Sequence, residues 1–249
     1  SHESINVKNQ ETTLFPTNNF LSTTGMSSRP GLPVFSLSKH ENINKKATFK
    51  TLPEIIIDLN GKSNGKTSLS IAAATGLYDL NKKCWIEQFR LYSNIKFPDV
   101  ITKLNESYGH IMLGKNKIPV YACIGDLQSC ILSIEMKPYD ININLGTGSQ
   151  VSIISDDNKG LLPEIRPLYD DKVFSTITHI PCGRALNLLS KVLDDKNEWF
   201  WETFYSPSDN KNSDKVEIDL NIFPGSYKYN NGGCIAKINE QNFDKKILV

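Results

Sequence analysis

The sequence has almost no net charge, no closely spaced cysteines and no long apolar run, and each shortage removes a class of function. Its 28 Lys and Arg face 27 Asp and Glu, with no basic stripe able to follow a phosphate backbone, so no nucleic-acid partner is implied. The five cysteines, Cys84, Cys123, Cys130, Cys182 and Cys234, are scattered and odd in number without a C-x-x-C pair. That pattern argues against a disulfide framework and a zinc site and suits a reducing compartment. The polar N-terminal stretch is no signal peptide and no apolar run reaches bilayer length, which predicts a cytoplasmic protein without a membrane partner. G-x-S-x-G and H-E-x-x-H are absent, and His2, His40, His110 and His179 stand beside no carboxylate or cysteine at relay or metal spacing.

What remains is a chain of 249 residues, enough for one large α/β domain or two modest lobes. A start at Ser1 without methionine and an apolar end, Ile247-Leu248-Val249, lead us to expect a piece of a longer protein. Residues 1–50 are poor in periodicity and read as surface connections around short elements. Thr51 with Glu54 three residues on makes a capping box and Pro53 suits a first turn, which predicts a helix over 52–60 closed by Gly61. Ile55-Ile56-Ile57 alone would favour strand. Trp85, Phe89 and Tyr92 fall at helical spacing, an aromatic stripe expected in a core. The Gly-, Lys- and Asn-rich stretch 109–117 predicts the boundary between lobes.

The second half is more regular. Residues 118–124 read as a strand buried on both faces, ending in Gly125 and a single carboxylate, Asp126. Residues 141–145 alternate with period two and 150–154 resume a strand after Gly146-Thr147-Gly148, which predicts a hairpin. Ala185, Leu186, Leu189, Val192 and Leu193 form the apolar face of a helix that starts near Gly183. Residues 223–233 form a turn-dense loop before a short apolar run, 234–238.

Two sets of residues compete as phosphate binders. GKSNGKTS, residues 61–68, has three residues between its first glycine and Gly-Lys where a P-loop needs four, and it follows a helix rather than a strand, so it reads as a polar turn. Asp126, the Gly146-Thr147-Gly148 turn and the Gly183 helix start fit better together than singly. Each has a plain structural reading, as helix cap, hairpin turn and cap glycine. In combination, a glycine turn lets N–H groups approach phosphate, a helix start favours negative charge, and a fixed carboxylate can accept a proton from an attacking hydroxyl. Those are the parts that phosphoryl transfer requires.

IPVYACIGDLQSCILS, then ININLGTGSQVSII, then IPCGRALNLL, in that order, resemble the FGGY carbohydrate kinases, in which a strand ending in Gly-Asp-x-Gln opens the C-terminal lobe. The resemblance implies Asp126 as catalytic base and sugar contact, Gln128 as its sugar-side neighbour, and Gly146, Thr147, Gly148, Gly183 and Asn187 as nucleotide contacts. It also implies ATP and Mg²⁺ as cofactors, a small sugar as substrate, no protein-held metal, and admits a homodimer. Thr24-Gly25 with Arg29-Pro30, and SIAAATGLYDLNKKCW, are similar to first-lobe stretches of the family. In the loop 223–233, Tyr227 and Asn231 stand where the family has arginine, which leaves that loop's role open.

The fold implied is α/β, two ribonuclease-H-like (actin-like ATPase) lobes each represented in part: 1–113 as the rear of the sugar-binding lobe, 114–249 as the front of the nucleotide-binding lobe. The Asp-x-Gly-Thr phosphate loop and the Gly-Gly-Gly adenosine segment of the family are missing, so the chain by itself is expected to be inactive. Leu127 in Gly-Asp-Leu-Gln, with GTGSQVS and GRALN, is most similar to sedoheptulokinase-like members; xylulose, gluconate and glycerol kinases are the alternatives. A sugar- or partner-binding remnant without catalysis, and a plain α/β domain, are the competing classes.

Overall fold

A computed structural model describes residues 20–37, 47–87, 95–154, 160–194, 199–205, 216–230 and 232–240. Packing divides the chain into two units, one formed by residues 1–142 and 152–176, the other by 143–151 and 177–249.

The first unit opens with two short helices, α1 (Phe20–Thr24) and α2 (Pro33–Leu37). Phe20, Val34, Phe35 and Leu77 are almost fully buried together, flanked by Phe49, Trp85 and Phe97. Helix α3 (Leu52–Asn60) has the expected bounds. Its Thr51 N–H and hydroxyl both donate to Glu54 Oε2, each at 2.8 Å, the reciprocal half of a capping box. Only Ile57 of the isoleucine triplet is buried; Ile55 and Ile56 are 42 % and 50 % exposed, so one face packs and the triplet is compatible with a helix.

From Gly61 the chain turns directly into β1 (Gly61–Ser63), then reverses at Asn64-Gly65 into β2 (Lys66–Ser68) and α4 (Leu69–Ala74). GKSNGKTS is therefore two short strands around a turn, with Lys66 paired to Glu106 at 2.6 Å. Strand β3 (Tyr78–Asp79) pairs antiparallel with β4 (Cys84–Trp85). Trp85 thus stands in a strand, with its indole N–H on Pro98 O at 2.7 Å and its ring against Phe97; Phe89 and Tyr92 lie outside the described residues.

Strands β5 (Asp99–Ile101), β6 (Ser107–Leu113) and β7 (Asn116–Tyr121) follow; β5 runs parallel to β2, and β1, β6 and β7 form one sheet in that order. Residues 109–117 make most of the β6–β7 hairpin rather than a linker within this unit. The expected strand over 118–124 is corrected here. It ends at Tyr121, occupies the sheet's edge and is covered on one face only, with Tyr121 53 % exposed. Pro119, which has no N–H to give a further neighbour, is tolerated because the strand is an edge.

Beyond 122–125 begins α5 (Asp126–Ser133), whose Leu127 and Ile131 pack on Leu168 and Phe174. Strands β8 (Ile141–Asn144), β9 (Gly148–Ile153), β10 (Glu164–Pro167) and β11 (Val173–Pro181) form a sheet in the order β10-β11-β9-β8. The link from β8 to β9 is too short for a crossover, so the pair is an antiparallel hairpin, as the glycine-bracketed threonine predicts. The expected apolar face is turned outward: Asn142 is 9 % exposed while Ile141 and Ile143 are 65 % and 61 % exposed, and Asn144 is exposed as well.

In the second unit α6 (Gly183–Leu193) follows β11, with α7 (Phe200–Tyr205) and the antiparallel pair β12 (Glu217–Asp219) and β13 (Cys234–Ala236). Ala185 of the expected apolar face is buried, whereas Val192 is 76 % exposed. The five cysteines are free thiols, and no described helix is long and apolar enough to cross a membrane.

Candidate active site

Asp126 is the first residue of α5, with Gly125 as its N-cap, and not the tip of the preceding strand. The carboxylate is exposed, Oδ1 accepts the Leu127 N–H at 2.7 Å, and among the described residues it takes no further partner. Behind it, Leu127 and Ile131 anchor the helix by burial, at 8 % and 2 % exposed.

Gln128 is placed differently. It is 7 % exposed, its amide donates to Pro167 O at 3.4 Å, and a Cβ at Gly125 would lie 2.5 Å from its Oε1. A side chain at 125 would displace the end of this buried amide, and of the two residues expected on the sugar side Asp126 is the one presented to solvent.

The segment that delivers Asp126 is tied to two buried hydroxyls of the first unit. Tyr169 Oη donates to Cys123 O at 2.8 Å; Ser70 Oγ accepts the Gly125 N–H at 3.3 Å and lies 3.4 Å from Cys123 O. Neither was singled out from sequence, although Ser70 opens the SIAAATGLYD stretch that carries part of the resemblance.

Elsewhere in this unit Glu164, 4 % exposed, receives the Ser27 N–H at 2.8 Å, Arg29 at 3.3 Å and Arg166 at 2.8 Å. Burial pushes the Glu164 pKa up, but the guanidiniums of Arg166 and Arg29 and the Ser27 N–H outweigh it, so the carboxyl stays below its usual range. This cluster joins the Arg29-Pro30 stretch to β10.

In the second unit the glycine turn and the helix start meet. Gly183 N–H donates to Gly146 O at 3.0 Å and Arg184 N–H to Thr147 O at 2.9 Å. A Cβ at Gly183 would stand 2.8 Å from Gly146 O, so glycine is what allows the turn to seat on the helix. The same bonds occupy two of the helix's first N–H groups, which leaves the Thr147 hydroxyl and the exposed turn as the donors facing solvent. Asn187, exposed and four residues after Gly183, lies one turn along the same face.

Arg184, also unremarked in the sequence, sets its guanidinium 4.0 Å over the Phe223 ring, and the Tyr227 N–H donates to His179 O at 2.9 Å. The loop from Phe223 is thereby docked on the start of α6, with a cation supplied by the helix where the loop carries tyrosine; Asn231 lies outside the described residues. No group of three or more His, Cys, Asp or Glu able to hold a metal occurs among the described residues.

The α/β fold so described resembles the ribonuclease-H-like (actin-like ATPase) fold of solved carbohydrate kinases. The solved structures it resembles include xylulose kinase from Rhodospirillum rubrum (TM-score 0.74, 15 % identity, 99 % of this chain and 54 % of that one). Gluconate kinase from Lactobacillus acidophilus follows (0.70, 17 %, 98 % and 54 %), as does Plasmodium falciparum glycerol kinase with ADP (0.68, 16 %, 97 % and 54 %). The chain thus spans about half the length of the structures it matches. No family model matches the sequence, and no curated protein does.

Proposed function

We propose that the chain is part of an ATP-dependent carbohydrate kinase of the FGGY type, with residues 1–113 contributing to its sugar-binding lobe and 114–249 to its nucleotide-binding lobe. The observation that carries this reading is a fold likeness to sugar and polyol kinases over 99 % of the chain, reached at 15 % identity. The ordered motifs around Asp126, Thr147 and Gly183 point the same way.

In this reading Asp126 takes the proton of a primary hydroxyl as that oxygen bonds to the γ-phosphorus, and ADP leaves with the electron pair of the broken P–O bond. Thr147 with the flanking Gly146 and Gly148, Gly183 and Asn187 serve the nucleotide, and Gln128 supports the sugar side from within the packing. Mg²⁺, which neutralises phosphate charge, would enter with ATP. Turnover is assigned to a protein that supplies the rest of the fold, working in the reducing compartment that five free thiols suit.

Sedoheptulose is the substrate we favour, on the Gly-Asp-Leu-Gln wording at 125–128; xylulose, gluconate and glycerol are the alternatives. The test is a coupled assay of the complete enzyme against ketoses, gluconate and glycerol. Sedoheptulose should give the highest kcat/KM; a tenfold preference for another acceptor would replace it, and no ATP-dependent turnover with any acceptor would favour a non-catalytic sugar-binding remnant.

A further inference from the structure

We propose that Ser70 and Tyr169 form a two-hydroxyl clamp that sets the position of Asp126, acting as positioning residues for the proposed base. The inference rests on the kinase reading for its purpose, but its geometry stands apart from it and lies wholly within the first unit. Residues 122–125 lie between β7 and α5, and the helix reaches them at Gly125 O, which accepts the Ser129 N–H at 2.8 Å. Ala122 and Cys123 pack against the buried cluster of Ile57, Ile101 and Tyr108, and the further polar contacts come from α4 and the chain just after β10. Tyr169 Oη donates to Cys123 O at 2.8 Å, Ser70 Oγ accepts the Gly125 N–H at 3.3 Å, and Ser70 Oγ lies 3.4 Å from Cys123 O and 3.5 Å from Tyr169 Oη.

The donors and acceptors of this set close on themselves. Cys123 O has two lone pairs for two hydroxyl hydrogens, and the Ser70 oxygen takes the one N–H. Ser70 and Tyr169 are 4 % and 3 % exposed, so water cannot replace either partner cheaply. Asp126 follows Gly125 directly, and the far side of its helix is already pinned through Leu127 and Ile131. Releasing the clamp would therefore let the carboxylate drift at its N-terminal side, where a displacement of about 1 Å can cost about a hundredfold in rate.

The test is residue-resolved amide exchange by NMR on the 249-residue chain, with Tyr169→Phe and Ser70→Ala compared against Thr67→Val. The control removes a buried hydroxyl that makes no hydrogen bond to residues 122–125, Thr67 with Tyr108 at 3.1 Å. The clamp predicts about tenfold faster exchange at Gly125 in Ser70→Ala, and faster exchange across 124–127 in Tyr169→Phe, with no local change in Thr67→Val. Unchanged exchange at Gly125 in both clamp variants, or equal acceleration in the control, overturns it. In the complete enzyme the same two variants should lower kcat with KM for ATP unchanged. Should Asp126→Asn retain turnover, the base assignment falls while the exchange result still decides the clamp.

Discussion

At the scale of single residues, the site is defined by what each group has left over once its structural bonds are made. Asp126 keeps an exposed carboxylate, whereas Gln128, two positions on, spends its amide inside the packing. Gly183 spends its N–H on Gly146 O and has no room for a side chain. Replacing Gly183 by Ala puts a Cβ 2.8 Å from that backbone oxygen, so the turn must shift. Overpacking of this kind costs roughly 1–3 kcal/mol, and chemical denaturation of the Gly183→Ala chain should show a loss in that range together with weaker nucleotide binding. Wild-type stability and nucleotide affinity in that variant would contradict the coupling of turn and helix.

Elements are held by polar contacts at their ends as much as by apolar faces. Helix α3 is tied back to its surroundings by Asp58, which accepts Lys50 Nζ at 2.6 Å and the Ser63 N–H at 2.7 Å. The Lys50 hydrogen bond, then that from Ser63, hold the Asp58 carboxyl at about 2 against an ordinary 3.8. A carboxyl lowered on folding contributes stability above its unfolded value and loses it as pH falls toward its folded value. The stability difference between wild type and Asp58→Asn should therefore be full around neutral pH and shrink as pH falls through 3.8 toward about 2, as followed by urea titration. A difference that grows on acidification would contradict it.

The helix itself was legible because its signals are local: Thr51, Pro53 and Glu54 fix its start whatever the rest of the chain does. The strand over 118–124 was misread because a run of apolar residues does not say how many faces are covered, and here an edge position leaves one face open. Trp85 packs on the core as its apolar character suggests, but from a strand, since its partners Phe49, Tyr78 and Phe97 are set by the fold and invisible to a periodicity count.

For the whole molecule, the order of motifs was legible and the packing that groups them was not. Gly146-Thr147 and Gly183-Arg184 meet through bonds between residues about forty apart, and Ser27 and Arg29 reach Glu164 from far upstream. Contacts of that reach depend on topology, which one sequence does not spell out. The hydroxyls of Ser70 and Tyr169 are missed for the same reason, although both sit within a few ångströms of the segment that carries Asp126.

The central claim is that Asp126 serves as the base of a sugar phosphorylation, and its most direct test is steady-state turnover of Asp126→Asn in the complete enzyme with its best acceptor. A positioned general base is worth about 10²- to 10⁴-fold, so kcat should fall by at least the lower figure while ATP affinity stays within about twofold. Turnover within threefold of wild type would contradict the account.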